Sequence, residues 1–130
     1  MTVSQSTATV RELWPLLFVE DLPRSLAFYR DRLGFETVGE AQADGRVFWC
    51  RIRRGGASIM LQQAEAEDGP AAGRGRGVAF YFVCDDVDAL RQEFVDRGAV
   101  LGEPEMAEYG MKQLFVPDPD GYSVCFESPV

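Results

Sequence analysis

Histidine is missing from this sequence of 130 residues. Its absence removes the commonest metal ligand, the usual general base, and the base of every Ser-His or Cys-His nucleophile pair. Cysteine is scarce. Cys50, Cys84 and Cys125 are widely spaced and odd in number, so they form neither a disulfide framework nor a CxxC metal or redox motif. That usage points to a reducing, cytoplasmic setting. Positive charge is in deficit, with 13 basic residues against 21 acidic and a net charge of −8. Such a balance repels phosphate backbones and argues against a nucleic-acid partner. It would attract small cationic ligands, although a surface charged for solubility explains the same numbers. No apolar run approaches the roughly 18 to 20 residues of a membrane-crossing helix, and the first ten residues are polar without a basic start. Neither a membrane partner nor a secretory signal is expected.

What remains is an average globular composition, 46% hydrophobic and 26% charged, at a length suited to one domain over residues 1–130. After a polar tail over 1–10, Leu13 to Val19 reads as a buried strand. Asp21 can cap a helix with Pro23 in its first turn and Leu22, Leu26, Tyr29 and Leu33 at helical spacing, ending at Gly34. Strand composition follows over Phe35–Glu40, Arg46–Arg53 and Ala57–Gln62, separated by Asp44-Gly45 and Gly55-Gly56 turns. Residues 11–63 thus form a βαβββ module. Residues 64–76 lack apolar periodicity and read as an exposed linker.

The pattern then restarts over 77–128. Val78–Val83 is a strand, Asp85 can cap a helix carrying Val87, Leu90, Phe94 and Val95, and Gly98 stops it. Strands are expected over Ala99–Glu103, Lys112–Val116 and Tyr122–Glu127, with Pro117-Asp118-Pro119-Asp120-Gly121 turning between the last two. Phe18-Val19-Glu20-Asp21 matches Phe82-Val83-Cys84-Asp85, a repeat of about 64 residues. One such unit leaves a sheet face uncovered, so two must combine within a chain or between chains.

Paired βαβββ modules, with VEDLPRSLAFYRDRLGFE near the start and VPDPDGYSVCFE near the end, resemble the vicinal oxygen chelate superfamily. That superfamily includes glyoxalase I, extradiol dioxygenases, fosfomycin-modifying enzymes and the bleomycin resistance proteins. The resemblance covers nearly the whole chain and implies an α+β fold whose curved mixed sheet encloses a concave cleft, and a homodimer with modules exchanged or edges shared. In metal-dependent relatives it implies four ligands, two His and two Glu. Those positions fall here on Trp14, Met60, Val78 and Cys125, none of which is His or Glu. Trp and Val donate no electron pair to a hard divalent ion, Met is a soft thioether, and one Cys cannot hold the ion alone. No metal and no other cofactor is expected.

By strand alternation the ligand positions share a face with Phe18, with Phe80 and Phe82, and with Glu127. Trp14, Phe18, Met60, Val78 and Phe80 have the composition of a small-molecule pocket, and equally that of plain core. Trp49 beside Arg51, the loop residue Tyr109, Phe115, Cys125 and Glu127 complete the candidate cleft. Asp118 and Asp120 read as turn formers that bond the local backbone. The leading expectation is a metal-free protein that sequesters a small molecule, a planar or cationic natural product or antibiotic. Two alternatives stand beside it: a lyase, isomerase or dioxygenase with a displaced site at Glu127, Tyr109 and Cys125, and an interaction module whose cleft is filled by side chains.

Overall fold

The computed structural model describes residues 2–130. β1 (Leu16–Val19) starts later than the apolar run, because Pro15 has no N–H for the ladder and offers only its carbonyl, which accepts from Met60 N at 2.8 Å. Asp21 caps α1 (Leu22–Ala27) by accepting from Arg24 N at 3.1 Å, with proline in the first turn. The helix runs on as a π-helical turn over Phe28–Arg32, which carries fully buried Tyr29, and Gly34 ends it at a φ of 72°. β2 (Glu36–Ala43), β3 (Arg46–Arg54) and β4 (Ala57–Gln63) complete a sheet of order β1-β4-β3-β2, with β1 parallel to β4.

The second half has the same form. β5 (Ala79–Val83), α2 (Val87–Asp96), β6 (Glu105–Met106), β7 (Met111–Pro117) and β8 (Ser123–Pro129) give a sheet of order β5-β8-β7-β6. Two local expectations fail. The cap of α2 is Asp86, whose carboxylate accepts from Ala89 N at 3.1 Å, so Asp85 is displaced by its neighbour. No strand forms over 99–103; instead Arg91 donates to the carbonyls of Gly102 at 2.8 Å and Leu101 at 3.2 Å. A side chain thus takes the place of a ladder there, and Pro104, lacking an N–H, delays pairing until Glu105. The segment between the modules carries a short 3₁₀ turn over Ala66–Asp68 and is tied down by Arg74, which meets Glu20 at 2.7 Å.

Alternation places Leu17 and Val19 of β1, Cys50 and Ile52 of β3, and Ile59 and Leu61 of β4 on one side of the first sheet, all fully buried against α1. Leu114, Val124 and Phe126 occupy the matching side of the second sheet, and both sets belong to a single hydrophobic cluster. The aromatic rings join the halves: Phe35 meets Phe82 edge-on with centroids 5.7 Å apart, and Phe82 stacks on Phe126 at 4.8 Å. Each sheet therefore turns its helix-bearing side toward the other half. The opposite sides face away from the shared core.

The Asp-Pro-Asp-Gly turn does more than shape itself. Asp118 accepts locally from Asp120 N at 2.7 Å, as a turn former should, and also from the Tyr29 hydroxyl of the first module. Asp120 accepts from Glu20 N at 2.8 Å and from the Ser25 hydroxyl at 2.9 Å. At the corresponding turn of the first half, Arg54 donates to Glu93 through two bonds of 2.6 and 2.7 Å. Each β-turn thus clasps the helix of the other module.

Candidate functional site

The open face of the first sheet is set by strand register. Leu16, Met60 and Arg51 lie in one cross-strand row, and Phe18, Gln62 and Trp49 in the next. Trp14, just ahead of β1, lies over Arg51, whose guanidinium carbon sits 4.0 Å from the indole centroid. The indole N–H donates to Glu12 at 3.0 Å, and Glu12 also accepts from Arg53 at 3.1 Å. The indole hydrogen bond, with Arg53 and Arg51 nearby, holds the Glu12 carboxyl below its ordinary range. The result is an aromatic platform with an arginine at its centre, left 41% exposed at Trp14 and 42% at Leu16.

The open face of the second sheet carries Tyr81, Cys125 and Phe115 in one row and Val83, Glu127 and Gln113 in the next. A depression of about 390 Å³ lies on it, lined by Ala79, Tyr81, Phe115, Pro117, Ser123 and Cys125. Tyr81 and Phe115 are about half exposed, at 47% and 49%, although both are large rings. Glu127 is buried at the edge of this surface, where its Oε1 accepts from the Tyr109 hydroxyl at 2.8 Å and from Gln113 Nε2 at 3.0 Å. The bond to Glu127 pushes the Tyr109 phenol up. Burial, with the Glu127 charge behind it, pushes the Cys125 thiol up to about 11. It is not an activated nucleophile.

The expected cleft residues fall into two groups on two sheets. Trp14, Phe18, Trp49 and Met60 share the first open face; Phe115, Cys125 and Glu127 share the second, with Tyr109 leaning onto it from the loop before β7. One chain does not bring the two groups together, since their faces point away from the common core. Phe80 and Phe82 are a correction. Their register partners are Val124 and Phe126, on the core side, so Tyr81 takes the place expected for them beside Cys125. Val78 precedes β5 and is 52% exposed.

The cause is a repeat one residue longer than the sequence match implies. Leu16 pairs with Met60 and Tyr81 with Cys125, so the residue standing to Cys125 as Trp14 stands to Met60 is Ala79, not Val78. Tyr81 and Gln113 were not among the expected site residues; alternation from Cys125 and Phe115 is the signal that finds them. The corrected set of family ligand positions reads Trp14, Met60, Ala79 and Cys125. Indole, thioether, methyl and a thiol held at about 11 do not fit a hard divalent ion. Among the described residues, no group of three or more Cys, Asp or Glu is placed to hold one. No described helix is long and apolar enough to cross a membrane.

Two βαβββ modules clasped through their helices, with an aromatic open face on each sheet, define a paired-module α+β scaffold. The model of the Glyoxalase/Bleomycin resistance protein/Dioxygenase superfamily matches residues 11–126, and the chain belongs to that superfamily. Among solved structures, it is similar to a bleomycin-binding protein from bleomycin-producing Streptomyces verticillus, complexed with copper(II)-bleomycin. That match has 20% identity, covers 95% of this chain and 100% of the other, and has a TM-score of 0.71. TnmS3, an antibiotic binding protein from Streptomyces sp. CB03234, matches at 22% identity over 98% and 100% of the two chains, with a TM-score of 0.70. A superfamily member from Sphaerobacter thermophilus DSM 20745 matches at 25% identity over 93% and 97%, with a TM-score of 0.66. Among curated protein sequences, none matches the chain significantly.

Proposed function

We propose that the protein is a metal-free binding protein for a small, planar, partly aromatic molecule, a natural product or antibiotic, held without chemical change. The observation that carries this reading is the pair of open sheet faces. Each presents half-exposed rings on the side away from the core, and neither presents a set of metal donors. Flat rings give large contact area at small entropy cost, and a cleft walled by two such faces suits a flat ligand.

The cleft is completed by a second copy. In a homodimer the first-sheet face of one protomer meets the second-sheet face of its partner, so each ligand lies between Trp14, Trp49 and Met60 of one chain and Tyr81, Phe115 and Cys125 of the other. The exposure of Leu16, Tyr81 and Val83, at 42%, 47% and 71%, supports a covered surface in the working assembly. Three unpaired thiols support a cytoplasmic location.

Native mass spectrometry and metal analysis of one gently purified sample test the reading together. A metal-free dimer that quenches its tryptophan fluorescence on titration with bleomycin or a planar tricyclic aromatic is the expected result. A stoichiometric metal ion, or no fluorescence response to any of these compounds at high micromolar concentration, would overturn it.

A further inference from the structure

Glu127 is a carboxylate left 8% exposed on a face it shares with Tyr81, Val83, Phe115 and Cys125, and no cation among the described residues pairs with it. Burying a charge without a counter-ion is costly, and neutral donors offset only part of the loss of water. The two donors present both act on one oxygen: the Tyr109 hydroxyl at 2.8 Å and Gln113 Nε2 at 3.0 Å converge on Oε1. Gln113 also donates to the Tyr109 hydroxyl at 2.5 Å, closing a three-membered ring of hydrogen bonds that holds Oε1 in place. Oε2 receives no protein donor among the described residues. Nor is it wholly sealed from solvent.

Glu127 lies next to an aromatic row. Glu127 shares its strand face with Cys125, two residues back, and Cys125 is flanked across the sheet by Tyr81 and Phe115. A fixed, partly desolvated acceptor next to flat rings is the complement of a planar ring system that carries a positively charged N–H group. We propose that Glu127 Oε2 is the recognition point for the cationic nitrogen of a planar aromatic amine or amidine, with Tyr109 and Gln113 as positioning residues. This inference rests on the cleft reading and narrows it to a charge class and a single oxygen. The charge that matters is this buried one, not the diffuse excess of acids on the surface.

Two dyes of one shape separate the claims: proflavine, a tricyclic cation, and acridine, its uncharged counterpart at pH 8. The full-length protein is expected to bind proflavine more tightly, and to keep that preference in 0.5 M salt, where exposed charges are screened over a few ångströms. Glu127→Gln is expected to weaken proflavine by about tenfold to a hundredfold, the worth of a charge-assisted hydrogen bond, and to leave acridine within about twofold. The ¹³C signal of the Glu127 carboxylate in the unaltered protein gives a readout that no folding defect can mimic. It should move with proflavine and stay still with acridine. Acridine binding together with a preference that survives Glu127→Gln, a preference that salt abolishes, or a carboxylate signal indifferent to proflavine would each overturn the Glu127 assignment while leaving the cleft intact. Failure of both dyes to bind would overturn the cleft reading itself, and the Glu127 site with it.

Discussion

The Tyr29 hydroxyl, fully buried in the first module, donates to the Asp118 carboxylate in the last turn of the second. Burial is the main force raising the Asp118 carboxyl above its ordinary value, against the pull of Tyr29 and two backbone N–H donors. The same burial, with Asp118 beside it, raises the tyrosine far above its own. Tyr29→Phe keeps the ring packed against Phe28 and Phe35 and deletes only the donor. The variant should lose about 1 to 3 kcal/mol, the cost of leaving a buried acceptor unpaired, as read from urea unfolding midpoints. A change within about 0.3 kcal/mol would mean the clasp carries no stability.

Arg54 and Glu93 predict an acid limb in the stability curve. The Arg54 hydrogen bonds, then those from Arg97, hold the Glu93 carboxyl at about 2, below its ordinary 4.5. A depressed carboxyl stabilises the fold above 4.5, and that contribution fades as pH falls toward 2. Asp118, raised instead, has the opposite sign: its contribution is present at low pH and is lost as pH rises through its folded value. Comparison with Glu93→Gln isolates the first effect. The difference between the two stability curves should be constant above pH 5 and shrink steadily below 4.5, less steeply at high salt because the pair is about one-third exposed.

Thiol labelling tests whether covalent chemistry is open to this site. Cys125 and Cys50 are both pushed up to about 11 by burial. In native protein at pH 8, iodoacetamide should modify both far more slowly than a free thiol, and denaturant should abolish the delay. Rapid native labelling of Cys125 would restore it as a candidate nucleophile.

Metal removal should change nothing. Prolonged dialysis against a chelator, followed by a thermal melt, is expected to leave Tm and dye affinity within error of the untreated sample. A fall in Tm that added Mn²⁺ or Zn²⁺ reverses would show that donors outside Trp14, Met60, Ala79 and Cys125 bind an ion.

The architecture was legible because each half announces itself twice, by an apolar strand and by an acidic helix cap. Asp21 performs as expected. In the second half two acids stand side by side, and choosing Asp85 over Asp86 shifts the inferred repeat by one residue. Along a strand one residue is half a pleat, so that slip sent Phe80 and Phe82 to the wrong side of the sheet and hid Tyr81. In the first half Asp21 stands alone as the cap, and the resemblance's ligand positions with strand alternation set Trp14, Met60 and Phe18 on the side the register gives them, while Trp49 joins them only through its pairing with Gln62. Sequence could not supply the Tyr109–Gln113–Glu127 ring, since it depends on a loop folding back onto a strand. Nor could it separate Asp120 as a turn former from Asp120 as a clasp, because both uses draw on the same carboxylate.

Trp14 and Ala79 occupy the same station in the two halves, the bulkiest side chain in one and nearly the smallest in the other. A doubled backbone thereby carries unlike walls. A molecule gripped between a first half and a second half would meet a bulky wall on one side and an open one on the other.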